Sequence, residues 1–268
     1  MQIYFFILYF FVYGFIGWCA EVAFATTKQH KFVNRGFLNG PICPIYGIGV
    51  GVVVQFLAPV KDNLLLLYIT STVLVTLIEG ITGFLMDKIF HHKWWDYSDE
   101  PLNIGGYVCL LFSLIWGVAC VFIMKVVHPL IHKGLSLIPT IVGIIFIVVL
   151  GAVLISDIYV TASGILKLNR RLEMMEKIAA ELRELSDKVG ENIHENVMET
   201  MEATEEIKEK LETASEEQKS RIADLKEKYK ELAEHGTRVS NRLLKAFPKM
   251  ESRQHKDILK EIQMRLKR

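Results

Sequence analysis

Three carboxylates stand where a charge is disfavoured. Glu21, Glu79 and Asp157 each lie inside or at the edge of a long apolar run. On insertion scales a charged side chain there costs about 2.5–3.5 kcal/mol, so each should face other protein and find a donor. The stretch FVNRGFLNGPICPIYG (32–47) offers Asn34 and Arg35, whose guanidinium is a planar fork suited to carboxylate or phosphate. The stretch WWDYSDEPLNIGGY (94–107) adds Asp96, Tyr97 and Asn103. Arg35 is expected to face Glu21, Glu79 or Asp96. Such a set can bind a ligand, or it can lock loops onto helices by ion pairing alone. On residue types the two uses weigh equally.

Other chemistries find little support. His91, His92, Asp96, Tyr97 and Glu79 supply acid and base groups, but there is no nucleophile constellation and no HExxH helix. His128 and His132 have the i, i+4 spacing of metal ligands, yet Pro129 intervenes and no acidic third ligand is near, so no metal is expected. Cys19, Cys43, Cys109 and Cys120 show no CxxC spacing and read as small apolar packing residues. GxxxxGK[ST], the phosphate-cradling loop of an ATPase, is absent. No cofactor is implied.

The elements that must position these residues are apolar helices. Residues 1–166 carry 8 of the chain's 31 Lys+Arg and 8 of its 30 Asp+Glu. Five apolar runs stand out there, roughly Ile3–Phe24, Ile42–Val60, Leu64–Met86, Ile104–Val127 and Leu137–Tyr159. At about 1.5 Å per residue each covers a hydrocarbon core of about 30 Å, and lipid leaves the backbone no choice but helix. The first run has no basic start and no Ala-x-Ala-like site, so it reads as a span and not a cleaved leader. The fold class expected is all-α, a polytopic membrane bundle of five spans.

Loop charges set the orientation. Lys28, Lys31, Arg35, Lys88, Lys93, Lys167, Arg170 and Arg171 fall on one side, and Lys61, Lys125 and Lys133 on the other. The positive-inside rule then puts the N-terminus outside and the C-terminus in the cytoplasm.

Loop one has a composition suited to a fixed shape. Gly36, Gly40 and Gly47 permit unusual backbone angles, while Pro41 and Pro44 delay the next helix. A re-entrant turn packed against other spans is expected, since irregular backbone at membrane depth survives only inside protein or beside a water-filled cavity. In loop three, Trp94, Trp95 and Tyr97 suit headgroup level, and Asn103 is expected to cap the next span beside Gly105 and Gly106.

The remaining residues read as helices in water. Residues 167–236 are expected to form a charged arm. Leu168, Leu172, Met175, Ala179 and Leu182 follow coiled-coil spacing, and Leu185, Val189, Ile193, Val197 and Met201 continue mainly every four residues. Lys208, Ser215 and Gln218 interrupt the seam before it recovers at Ile222, Leu225, Tyr229 and Leu232. A long intermittent coiled coil and a helical hairpin folding near 200–220 are equally compatible with this. Residues 238–268 hold 10 basic and 3 acidic residues. A basic amphipathic C-terminal helix over 237–268 is expected, facing anionic lipid or the acidic arm before it, with no specific nucleic acid.

Residues 10–125 resemble a known family. The stretches GWCAEVAF, FVNRGFLNGPICPIYG and LIEGITGFLMDKIFHHKWWDYSDEPLNIGGYVCLLFSLIWG are similar to the bacterial membrane family named putative ABC-transporter type IV, or CmpB-like, permeases. The matching positions are Gly17, Trp18 and Glu21, then Asn34, Arg35, Gly36, Gly40, Pro41, Pro44, Tyr46 and Gly47. Glu79 follows, and then Trp95, Asp96, Tyr97, Asn103, Gly106, Trp116 and Gly117. At Asp87 a longer Glu would be expected as readily. The resemblance implies a permease-type subunit in the bacterial inner membrane, energised by a separate ATPase subunit and assembled as a homo-oligomer. The alternatives are a non-catalytic scaffold or regulator acting through the helical tail, and third, a membrane-embedded lipid-modifying enzyme.

Overall fold

The structure is a computed structural model that describes residues 2–199 and 205–266. Among these the regular structure is helical apart from four two-residue strands, with irregular loops between elements. It divides into two compact units. The first comprises Met1–Ile165 together with Val239–Gln254, and the second Leu166–Arg238 together with His255–Arg268.

In the first unit, α1 (Gln2–Gln29), α2 (Pro44–Leu57), α3 (Leu64–Phe90) and α4 (Leu110–Phe122) precede α5 (His128–Ser136) and the opening part of α6 (Thr140–Glu199). Four helical stretches are long and apolar enough to cross a membrane: Gln2–Gln29, Leu64–Phe90, Leu110–Ser136 and Thr140–Leu185. The protein is thus a multi-pass membrane protein with an all-α bundle. The expectation of five segments each long enough to span needs correcting at the second, which is shorter. Pro44 sits at the start of α2, and a 3-10 turn Ala58–Val60 ends it. At 14 and 3 residues the two pieces rise only about 27 Å. The fourth span also starts later than Ile104, because β2 (Asn103–Ile104) and β3 (Val108–Cys109) pair as an antiparallel hairpin before α4 begins.

Local sequence explains several ends. Asn63 caps α3, its side chain accepting from Leu66 N at 3.0 Å. His91 closes the same helix in the left-handed region, φ 59°, returning its N–H to the Asp87 carbonyl. Between α4 and α5 the helix widens to a π turn at Ile123–Val127. Pro129 follows, and its missing N–H and its ring disfavour the ordinary bond to the Lys125 carbonyl.

Small residues let α1 and α2 approach. A Cβ at Gly17 would collide with the Tyr46 ring, and one at Gly47 with the Phe10 carbonyl. Val53, Leu57, Leu67, Cys120 and Met124 form one buried cluster, while Tyr9, Tyr13 and Val50 form another. Beside the second, His132 meets the Tyr9 hydroxyl at 2.5 Å and His128 the Tyr13 hydroxyl at 3.0 Å.

The last part of the first unit is α8 (Arg238–Ala246), from Val239 onward, and β4 (Glu251–Ser252), which pairs antiparallel with β1 (His92–Lys93). In the second unit the later part of α6 and α7 (Glu205–Glu234) lie antiparallel. Arg171 donates to the carbonyls of Leu232 and Ala233, and Arg221 pairs with Glu181 at 2.6 Å. Leu168, Leu172 and Met175 are buried there, as are Leu225 and Ala233. Val189, Ile193, Val197, Met201, Lys208 and Ser215 of the expected seam lie outside the residues whose side chains are described. α9 (Lys256–Arg265) completes the unit, burying Leu259 and Ile262 and taking the Tyr229 hydroxyl on Glu261 at 2.6 Å.

The single basic helix expected over 237–268 is therefore two helices with a strand between them. Pro248 breaks it by removing a backbone donor, and the two helices belong to different units, with the boundary between Gln254 and His255.

Candidate functional site

Loop one runs back along α1. Its far end, Cys43, donates its N–H to the Gly14 carbonyl at 2.9 Å. Gly14 lies 15 residues before the end of α1 at Gln29, a descent of about 22 Å along that helix. The loop fills the length that α2 lacks. Backbone at that depth needs internal partners, and the polar side chains of the loop supply them.

Asn34 is the organiser of the first half. Its Oδ1 accepts from Trp18 Nε1 at 2.7 Å and from the Gly36 N–H at 3.1 Å, and its Nδ2 donates to the Asn39 carbonyl at 2.8 Å. Arg35 pairs with Glu21, Nε to Oε2 at 3.3 Å, and lies 4.9 Å over the Phe24 ring. The other Glu21 oxygen accepts from the Tyr46 hydroxyl at 2.7 Å. Of the three partners expected for Arg35, the one present is Glu21; Asp96 and Glu79 are held by other residues.

Asp157 of α6 fastens the second half. Its Oδ1 accepts from Asn39 N (3.1 Å), Asn39 Nδ2 (2.8 Å) and the Thr161 hydroxyl (3.2 Å), and its Oδ2 accepts from Gly40 N at 2.6 Å. A Cβ on Gly40 would stand 3.1 Å from that oxygen, so the position favours glycine for close approach. Pro41 is exposed and Pro44 begins α2, which shapes the exit of the loop.

From outside the loop comes a residue that sequence reasoning missed. Arg242 of α8 donates Nε to Asn39 Oδ1 at 3.0 Å. Its two terminal nitrogens reach the carbonyls of Gly36 and Phe37, each at 2.8 Å. Burial lowers its pKa and the nearby Asp157 carboxylate raises it back in part. With a longer contact to the Asn34 carbonyl at 3.5 Å, one guanidinium thus gathers four acceptors of the irregular loop.

Loop three is closed in the same way. Asp96 accepts from Lys93 Nζ (2.7 Å), Ser98 N (2.9 Å) and the Ser98 hydroxyl (2.5 Å). Burial pushes its carboxyl up, but the ammonium and the two serine donors outweigh that and hold it below the usual range. Asn103 does not cap α4, whose N-cap is Cys109 with no side-chain cap bond. It ties the loop instead, donating to the carbonyls of Ser98 and Glu100 and accepting from Gly106 N at 3.1 Å. Gly106 itself has φ +71° and abuts Lys93, Asp96 and Ser98, so a side chain there is excluded by both angle and space.

Asp87, at the end of α3, takes the Arg253 guanidinium on both oxygens at 2.6–3.1 Å, and the Tyr107 hydroxyl at 2.6 Å. Arg253 N donates to the His91 carbonyl, extending the β1–β4 pair. Between the two arginines, Phe247 packs edge-on against Trp94, which packs edge-on against Phe37. The segment 239–254 is a clasp across both loops.

Glu79 differs from every other acid of this site. It is 9% exposed, and its Oε1 accepts from the Tyr97 hydroxyl at 3.3 Å, long for an O–H donor. Its Oε2 has no partner among the described residues. Tyr97 stacks on Phe112 at 4.9 Å, and its hydroxyl pKa is raised by burial first, then by the Glu79 and Glu21 carboxylates.

Comparison with protein families decides the kinship. The model of the family described as "Putative ABC-transporter type IV" matches residues 8–162. The chain belongs to that family. The match reaches beyond the resemblance seen over 10–125 and takes in Asp157. Comparison with curated proteins and with solved structures gives no match.

Within this putative ABC-transporter type IV chain, Glu21, Asn34 and Arg35 come together on α1 and loop one, and Asp157 joins them through Asn39. Asp96, Tyr97 and Asn103 share loop three, and Tyr97 alone of the three bonds Glu79. Arg242 and Arg253 fall outside the family match. No motif marks them; the only signal is their place in a basic stretch interrupted by Pro248.

Proposed function

We propose that the protein is a permease-type membrane subunit that works with a separate ATP-binding chain, and that its polar site centres on Glu79 and Tyr97. The observation that carries this is the Glu79 carboxylate, buried within a membrane helix and left half unpaired while the neighbouring acids are satisfied. Intramembrane ionisable groups without a full set of partners mark binding or relay positions. Family membership over most of the membrane unit supports a transport role, and the missing phosphate-binding loop requires the energising chain to be separate. A bundle with four full-length spans is small for a complete path, which supports assembly as a homo-oligomer. In the bacterial inner membrane, the loop lysines and arginines favour a cytoplasmic C-terminus.

The test is purification of the tagged full chain from its native membranes in mild detergent. A chain bearing GxxxxGK[ST] should accompany it in fixed ratio and hydrolyse ATP. An intact, monodisperse preparation with no such chain and no ATPase activity would overturn the permease reading.

A second reading, a membrane scaffold, is favoured by one observation. Glu21, Asp87, Asp96 and Asp157 are all engaged by donors of the same chain, which is what a locked platform needs.

A further inference from the structure

We propose that Glu79 is a proton-binding site, its Oε2 carrying an exchangeable proton within the membrane bundle and Tyr97 acting as the positioning residue. This deepens the permease reading and rests on it only for the use to which the proton is put.

Position is the first argument. Glu79 lies 15 residues from the start of α3 and 11 from its end, about 22 Å and 16 Å of helix. The helix is long and apolar enough to cross a membrane. One turn on, at Gly83, the same face packs against the Trp95 and Tyr107 rings. Burial among such groups opposes a bare negative charge.

Contrast is the second argument. The same unit satisfies Glu21 with a guanidinium and a hydroxyl, Asp87 with a guanidinium and a hydroxyl, and Asp157 with backbone and amide donors. Glu79 receives one hydroxyl, at 3.3 Å, on one oxygen. A carboxylic acid needs no more than that, since a single donor on its carbonyl oxygen suffices and the second oxygen holds the proton.

The number of protein oxygens favours a proton over a cation. Glu79 and the Tyr97 hydroxyl together offer three oxygens, whereas calcium takes six to eight. A proton needs one. From the elements packed around it, the titratable groups facing this pair are Tyr97 itself, Cys109 of β3 and, further off, Glu21 of α1, which is already paired with Arg35.

The experiment is labelling of the full-length protein in membranes with a hydrophobic carbodiimide. The O–H of a carboxylic acid adds across one C=N bond of the reagent, and acyl migration to nitrogen leaves a stable N-acylurea that peptide mass spectrometry locates. Glu79 should be labelled and Glu21 and Asp157 should not. Above the midpoint, labelling of Glu79 should fall about tenfold per pH unit, as the protonated fraction does. In Tyr97→Phe, which removes the donor favouring the charged form, that fall should move to higher pH. Glu79→Gln should lose the label at this position. The pH series on the unaltered protein stands whether or not either variant folds. An unlabelled Glu79 at low pH in folded protein, or equal labelling by a water-soluble carbodiimide, would overturn the proposal. An ATP-binding partner together with an unlabelled Glu79 sinks the proton site alone. A labelled Glu79 without such a partner sinks the permease reading alone.

Discussion

Replacing Asp157 by alanine separates a carboxylate that holds structure from one that holds a ligand. The substitution removes the acceptor of the Asn39 and Gly40 N–H groups, of Asn39 Nδ2 and of the Thr161 hydroxyl. Two of these donors have other outlets. Asn39 Nδ2 already reaches Thr161 Oγ1 at 3.0 Å, and the threonine hydroxyl can turn to a helix carbonyl. The two backbone N–H groups have none. An orphaned buried donor costs about 1–3 kcal/mol, and at these partly buried positions about 1.5 each is reasonable, so the loss totals about 3 kcal/mol. For a unit of this size that lowers the melting temperature by about 6–12 °C. The assay is thermal unfolding of the full chain in detergent, followed by the fluorescence of the tryptophans packed on loops one and three. Asp157→Asn keeps one acceptor oxygen and should lose about half as much. Glu79→Gln breaks no ion pair and should cost less than about 1 kcal/mol. An Asp157→Ala protein as stable as the parent, or a Glu79→Gln protein less stable than the Asp157→Ala protein, would refute the division of these acids into structural and binding groups.

The clasp gives a second expectation. Arg253→Ala should destabilise the membrane unit by about 1–2 kcal/mol, discounted because the arginine side chain is 53% exposed while Asp87 is 9% exposed. A double-mutant cycle with Asp87→Ala should show coupling near 1 kcal/mol, and no coupling would mean the pair contributes nothing. The second unit gives a pH dependence. Burial, followed by its bond to the Glu261 carboxylate, pushes the Tyr229 hydroxyl up to about 12. The folded state therefore holds this proton more tightly than the unfolded chain does. Its contribution is complete below about pH 10 and disappears as pH rises through about 12. Helicity followed by circular dichroism from pH 9 to 12 should show that loss in the parent and a flatter profile in Tyr229→Phe.

Much of the membrane unit was legible from residue order alone. Apolar runs near 20 residues permit little but helix in lipid, so the bundle and the spans at α1, α3 and the start of α6 follow directly from hydropathy. Loop one announced its fixed shape through Gly36, Gly40, Pro41 and Pro44, and the family was readable from motifs in the first half of the chain. The shorter second helix was not legible. Ile42–Val60 is apolar enough to span, and only the descent of loop one to Gly14 shows that the backbone enters helix late. Asn103 misled for a similar reason. A cap and a loop tie use the same side-chain chemistry, and the hairpin Asn103–Cys109 decides between them.

Partner choice belongs to tertiary structure. Sequence determined that Glu21, Glu79 and Asp157 must be buried or paired, because charge in an apolar helix is costly wherever that helix packs. Which donor a polar group receives depends on separations of up to about two hundred residues: Asn39 serves Asp157 from 118 residues away, Arg242 reaches Asn39 and Arg253 reaches Asp87. Charge patterning reads only local neighbours, so those arginines looked like part of a helix facing anionic lipid or the acidic arm. Among the described residues the fold spends its donors on Glu21, Asp87, Asp96 and Asp157 and leaves one oxygen of Glu79 without any. No count of acids and bases could have singled out that oxygen, because its isolation is a matter of distance.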